Sequence, residues 1–384
     1  MSVAVTQPIA RASVLHPRRL DRLLLKAALQ DGDGAIGAWD EWSHSVVLER
    51  LPHISTRLLP LLYRNLQKLN VPETGMTPTL AGTYRHAWFS NNTLFHSVLP
   101  VLHAFKDRGI DTLLIKGPAL AGVYYSDPGT RTMYDFDLLV REESAQEAME
   151  LIKGMGWSPR IPRPKSALEV RHSAEFMDAS GNRLDLHWHL MLECCSPGAD
   201  AAFWEKAQVA KLTEIETRVL CASDQFLHTC VYGPCARYER PVRWIADAWM
   251  ILEKSGKNLD WTRITKQAEH RRLTSPLQNA VFTLQALGAG IPLDAFDRVA
   301  MLNVPREDAA EFAGQIRWQR WFGQLPQLWY GCRRLARDTK GRTRRIRFPR
   351  YLQRSLGLPS IWRLPAFLFA ALLRRLKRMV SPDA

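Results

Sequence analysis

The run from Leu113 to Val140, LLIKGPALAGVYYSDPGTRTMYDFDLLV, decides how this sequence folds. It opens with a short apolar segment that follows a turn at Asp107, Arg108 and Gly109 and ends in Lys116-Gly117. That is the pattern of a buried strand feeding a loop and a helix. PALAGVYY is the helix, with Pro118 suited to its first turn. SDPGTR is a strong turn signal, and MYDFDLLV is a second strand. In a strand, residues i and i+2 face the same way about 6.5–7 Å apart. Asp135 and Asp137 therefore project together, while Phe136 and Leu138 face the opposite side.

Working outward, REESAQEAMELIKGMGW reads as an amphipathic helix, Ala174 to Asp178 as a strand, and RLDLHWHL as a further strand. By the same alternation Asp185, His187 and His189 share one face of that last strand. Residues 18 to about 110 carry apolar positions at three- and four-residue intervals, and this period returns after Pro197. It marks helices near Ala201–Ala210, Ser223–Val231, Arg243–Lys254, Trp261–His270 and Pro276–Leu287. The expected class is α+β, mainly helical: a small mixed-sheet core flanked by N- and C-terminal helical regions. The expected divisions are 1–110 (helical), 111–195 (α/β core), 196–330 (helical) and 331–384 (a basic amphipathic tail).

At 384 residues the chain exceeds what a single core usually holds. An apolar share of 46% with 13 Trp excludes general disorder. The net charge of +14 is concentrated: from Arg317 to Arg378 there are 17 Lys and Arg against one acid, Asp338. LPAFLFAALL, Leu364 to Leu373, is too short to span a bilayer, but between IWR and RRLKR it suits an anionic membrane surface. GRTRRIRFPRYLQR would also suit nucleic acid, a reading weakened by the apolar stretch after it. Six Cys without paired zinc spacing, and an opening with no apolar secretory core, point to free thiols and a cytoplasmic protein, with membrane association through the tail as a further expectation.

Two bare carboxylates as close as Asp135 and Asp137 repel, and a divalent cation removes the problem. Mg²⁺ favours one or two carboxylates plus phosphate oxygens. With Asp185 beside them, three carboxylates suit two ions about 3.5–4 Å apart, the arrangement that serves phosphoryl transfer. Mn²⁺ would also fit. Strand, Lys116-Gly117, then helix offers a place for phosphates, with Lys116 and Arg131 as charge contacts. Arg131 alternatively pairs with Asp127 or Asp135, and Arg243 with Asp247 as an i,i+4 pair. D-x-H-x-H departs from the usual zinc spacings; His187 near a nucleotide is the more specific alternative to a structural histidine.

LLIKGPALAGVYY, SDPGTR, DFDLLV and LDLHWHL, in that order, resemble the uncharacterised nucleotidyltransferase group of the polymerase-beta-like superfamily. VRWIADAWMIL resembles the helix after the core in relatives. The resemblance implies metal ligation by Asp135, Asp137 and Asp185, Gly117 at the triphosphate, and transfer of NMP from an NTP to an unidentified acceptor. The superfamily usually has Gly-Ser or Gly-Gly in that loop, whereas Gly117 is followed by Pro118, which has no backbone N–H to donate. Two rival functions follow: a nucleotide-binding protein on the same fold without turnover, or a membrane-associated scaffold of a biosynthetic complex.

Overall fold

The computed structural model describes residues 17–162, 167–212, 214–235, 242–322, 325–338 and 347–380. The chain's opening residues and most of the arginine-rich stretch GRTRRIRF lie outside them. Helices Arg19–Leu29, Gly32–Ser45, Leu59–Lys68 and the long Thr77–Asp107 precede the sheet, as the three- and four-residue periodicity requires.

Seven strands make one mixed sheet: β1 (Thr112–Leu114), β2 (Phe136–Val140), β3 (Ser158–Pro159), β4 (Ser173–Met177), β5 (Arg183–His187), β6 (Gln208–Leu212) and β7 (Ile215–Val219). Their order is β3-β4-β5-β2-β1-β7-β6. β2 runs antiparallel to β1, with Leu114 opposite Leu138. It runs parallel to β5, with Asp137 opposite Asp185 and Leu139 opposite His187. The fold is thus α+β and mainly helical, around a mixed sheet.

All five residues of β2 are buried, so its two faces bury different partners. Phe136, Leu138 and Val140 join Leu184 and Leu186 of β5 in a core covered by Phe95 and Phe105 of the long helix and Ile152 of the helix Ala145–Gly154. Leu139 on the other face joins Leu113 and Ile115 in a core closed by Phe226, Leu227, Ile245 and Ile251. Each such side chain contributes roughly 1.5–3 kcal/mol on burial. A shift of one residue in β2 would exchange Asp137 for Leu138 across the sheet, so these two cores fix the face on which Asp137 lies.

The helix expected over 201–210 stops at Glu205, and β6 and β7 pair antiparallel and extend the sheet. The alternation in IETRV explains it: Ile215, Thr217 and Val219 are buried, while Glu216 is exposed and Arg218 half-buried. The helices Leu325–Asp338 and Phe348–Ser355 pack on the body through a third core of Val170, Leu328, Cys332, Leu335, Tyr351 and Leu352. Arg334 anchors them, donating to Glu311 at 2.6 Å and to the Arg271 carbonyl at 2.9 Å. No described helix is long and apolar enough to cross a membrane.

The helices Ala222–Cys235 and Arg243–Ser255 approach closely at Gly233, where an added Cβ would overlap the Trp244 side chain. Gly233→Ala forces these two helices apart. It should destabilise the protein by about 1–3 kcal/mol in urea unfolding, the usual range for overpacking.

Candidate active site

The site forms at the C-terminal end of β1, where the strand gives way to Ile115 and Lys116. Lys116 holds φ at +46°, a left-handed conformation unusual for a residue with a side chain. Such strain persists only where the surroundings over-determine it. Nζ of Lys116 donates to Asp137 Oδ1 at 2.7 Å and lies 3.8 Å from Asp185 Oδ2. It also lies 4.4 Å from the centre of the Tyr232 ring, a cation–π contact.

Asp137 and Asp185 are side by side because β2 and β5 are parallel and in register. His187, two residues further along β5, lies on the same face: its Nε2 is 2.9 Å from Asp185 Oδ2, 3.4 Å from Asp137 Oδ1 and 3.2 Å from Lys116 Nζ. Side-chain exposure falls from 18% at Asp185 and 11% at Lys116 to 4% at Asp137 and nothing at His187, so solvent reaches the cluster from the Asp185 side.

Burial opposes charge throughout the cluster, and neighbouring charges overcome it. Asp137, Tyr232 and Asp185 raise the Lys116 pKa against desolvation. Lys116 and His187 hold Asp137 below the ordinary carboxylate range, and His187 and then Lys116 hold Asp185 well below it. His187 is disfavoured as a cation by burial and by Lys116, yet Asp185 and the hydrogen bond with Asp137 raise its pKa. Asp135, half-buried just before β2, is pushed up to about 6 by burial and by Asp137.

Asp137, Asp185 and His187 each offer a ligand atom, and these three atoms lie within 4.8 Å of one another. Two oxygens and a nitrogen at that spacing fit a divalent ion. Lys116 supplies the positive charge among them. Asp135 stands beside this group rather than within it.

The other expected contacts resolve differently. Arg131 is buried and gives Nε and Nη2 to Asp247 at 2.7 and 2.9 Å, where the Tyr125 hydroxyl also donates at 2.8 Å. Asp247 therefore pairs with Arg131, and Arg243 donates instead to the Thr132 carbonyl at 2.9 Å. Gly117 is buried, and a Cβ there would come within 3.2 Å of Arg131 Nη1 and 3.1 Å of Met133 Sδ. β5 ends at His187, so alternation lapses and His189 turns to Asp200 at 3.2 Å.

Sequence reading missed the buried Asn91 of the long helix. Its Nδ2 donates to the carbonyls of Pro128 and Arg131, and its Oδ1 accepts from the Met133 amide, fixing the turn that delivers β2. An amide in the middle of HAWFSNNTLF is the one local sign of that role. A cavity of about 690 Å³ lined by Tyr124, Lys206, Arg263 and Lys266 contains none of the site's residues and lacks its clustered acids.

His228 is buried near this charge, and desolvation, then Lys116 and His187, push its pKa down to about 3. The unfolded chain takes a proton there near pH ~6.5 and the folded one does not. Its neutral state thus contributes stability that is complete above that pH and declines as pH falls toward 3, by up to about 1.4 kcal/mol per pH unit. Urea midpoints between pH 7.5 and 5 should fall less steeply for His228→Gln than for the unaltered protein.

A family model described as an uncharacterised nucleotidyltransferase matches residues 53–288. A solved structure, that of an antigenic nucleotidyltransferase-like protein from Paracoccidioides brasiliensis, superposes with a TM-score of 0.35 at 13% identity. That alignment covers 53% of this chain and 96% of the other. No curated protein matches the sequence.

Proposed function

The chain belongs to the uncharacterised nucleotidyltransferase family, and from that premise we propose that it transfers NMP from an NTP to an acceptor hydroxyl or phosphate. The observation that carries this reading is the register pairing of Asp137 with Asp185, with the Lys116 ammonium against both. Two acids in a buried strand pair are otherwise unfavourable, and a cation between them is the condition of their stability.

Asp137 and Asp185, joined by Asp135, would hold Mg²⁺, ideally two ions; the His187 nitrogen extends the choice to Mn²⁺. Bound there, such ions offset the charge that develops on phosphoryl oxygens. The chain's own groups do the rest. Asp185, more open than Asp137, would meet an acceptor arriving from solvent. Lys116, whose ammonium lies between these two carboxylates, would set its charge against the phosphates. Gly117 keeps the loop tight against Arg131, and Arg131 braces it through Asp247. The acceptor oxygen bonds to the α-phosphorus as the bond from that phosphorus to the α–β bridging oxygen breaks, the proton of a hydroxyl acceptor passes to water, and pyrophosphate leaves with the bridging oxygen.

Asp137→Asn and Asp185→Asn should each lower label transfer from α-labelled NTPs to acceptors in a cell extract by at least about 100-fold, more than the loss of an outer-shell contact produces. The same variants should lose tight Mn²⁺ binding, followed by electron paramagnetic resonance. Unchanged transfer and unchanged Mn²⁺ binding would remove both residues from the mechanism.

A further inference from the structure

A second charged cluster lies beside the acids, on the five residues leading into β2. Arg131 uses Nε and Nη2 on Asp247. Arg243, the first residue of its helix, holds the Thr132 carbonyl. Arg57 lays its guanidinium 4.4 Å over the ring of Tyr134, which stacks on His53 at 5.7 Å. Among the described residues no carboxylate lies within ion-pair distance of Arg57 or Arg243. The buried Nε of Arg57 and Oγ1 of Thr132 likewise lack hydrogen-bond partners there.

Three guanidiniums thus face Asp247 and Asp135, and positive charge is in excess. Burial, then Arg131 and Arg57, push Arg243 down to about 10; burial also lowers Arg57, with Arg131 adding to it. Arg131 has Asp247 as its partner, whereas Arg57 and Arg243 have no carboxylate in ion-pair contact among the described residues. The loop that usually grips phosphate is meanwhile ill-equipped: Pro118 has no N–H, and Arg131 and Met133 fill the space beside Gly117.

We propose that Arg57 and Arg243, with the Thr132 hydroxyl, form a polyphosphate subsite that receives the terminal phosphates of the NTP beside Asp135. The subsite rests on the nucleotidyltransferase reading for its role, though not for its affinity. Guanidinium forks match phosphate oxygens bidentately, and the buried Arg57 Nε–H and Thr132 hydroxyl, without partners among the described residues, are donors that phosphate oxygens accept from.

Titration calorimetry of the full chain with inorganic tripolyphosphate in EDTA tests this without any transfer reaction. The unaltered protein should bind. Arg57→Met and Arg243→Met should each weaken binding about 10- to 100-fold, as expected for charged hydrogen bonds. Arg243→Lys should weaken it less than Arg243→Met, and the exposed Arg298→Met should change nothing. Circular dichroism checks that each variant folds. No binding by the unaltered protein, or equal binding by all folded variants, overturns the subsite. Tripolyphosphate binding that depends on both arginines, in a protein that transfers nothing, would fault the transfer reading and leave the subsite standing.

A different observation carries a second inference. Ala366, Phe369 (63% exposed) and Leu373 (43%) follow at spacings of three and four on one exposed face of the helix Leu364–Val380, and Trp362, 87% exposed, stands in the turn just before it. Leu364 and Leu368, on the other side, pack on the core of Tyr351 and Leu352. The sequence continues RRLKR, in a region with 17 basic residues and one acid, so two copies paired here would repel. We infer that this stripe lies in the headgroup boundary of an anionic bilayer.

The full chain should co-sediment with phosphatidylcholine vesicles containing about 30% phosphatidylserine, a typical anionic surface, and much less with phosphatidylcholine alone. Trp362→Ser with Phe369→Ser should reduce the bound fraction at least about tenfold, from the apolar area lost. Equal sedimentation of the double variant, or a dimer in solution that this variant dissolves, would overturn the inference.

Discussion

The parallel, in-register pairing of β2 with β5 is the constraint on which the rest of the molecule depends. It sets Asp137 opposite Asp185 and His187 opposite Leu139, and it is held by the apolar residues on both faces of β2. Hydrophobic packing thereby enforces an electrostatic arrangement that would be unfavourable if uncompensated. Lys116, strained into a left-handed conformation, provides the compensation from the neighbouring strand's end. A buried ion cluster of this kind is weak evidence for stability but good evidence for a task, because apolar residues of similar size would pack at no electrostatic cost.

The helical layers have distinct jobs in this scheme. The long helix Thr77–Asp107 fixes the turn before β2 through Asn91, while Asp247 on the helix Arg243–Ser255 fixes Arg131. The strand ends are clamped from two sides. The stretch between those clamps, 131–135, is met by Arg57 and Arg243 from other elements, at Tyr134 and at the Thr132 carbonyl.

Much of this was legible in the sequence because strand alternation is strict. DFDLLV and LDLHWHL each announce a polar and an apolar face, and Lys116-Gly117 announces a strand's end. The reach of alternation ends where the strand ends, which is why His187 joins the acids and His189 does not. AAFWEKAQVA spaces its apolar residues as a helix would, and pairing with β7 overrides that local preference to make β6. The Arg131–Asp247 pair spans more than a hundred residues and leaves no local trace, while the nearer pairing of Arg243 with Asp247 was the pattern that sequence spacing could offer.

The central claim is that Lys116 occupies the place of a divalent ion between two register-paired carboxylates. A crystal structure of the protein with Mn²⁺ and a non-hydrolysable NTP tests it most directly, by anomalous scattering at the metal. The account predicts an anomalous peak bound by both Asp137 and Asp185, with Lys116 Nζ displaced from its 2.7 Å contact toward the phosphates. A nucleotide bound elsewhere, with no metal between these carboxylates and Lys116 still on Asp137, would contradict it.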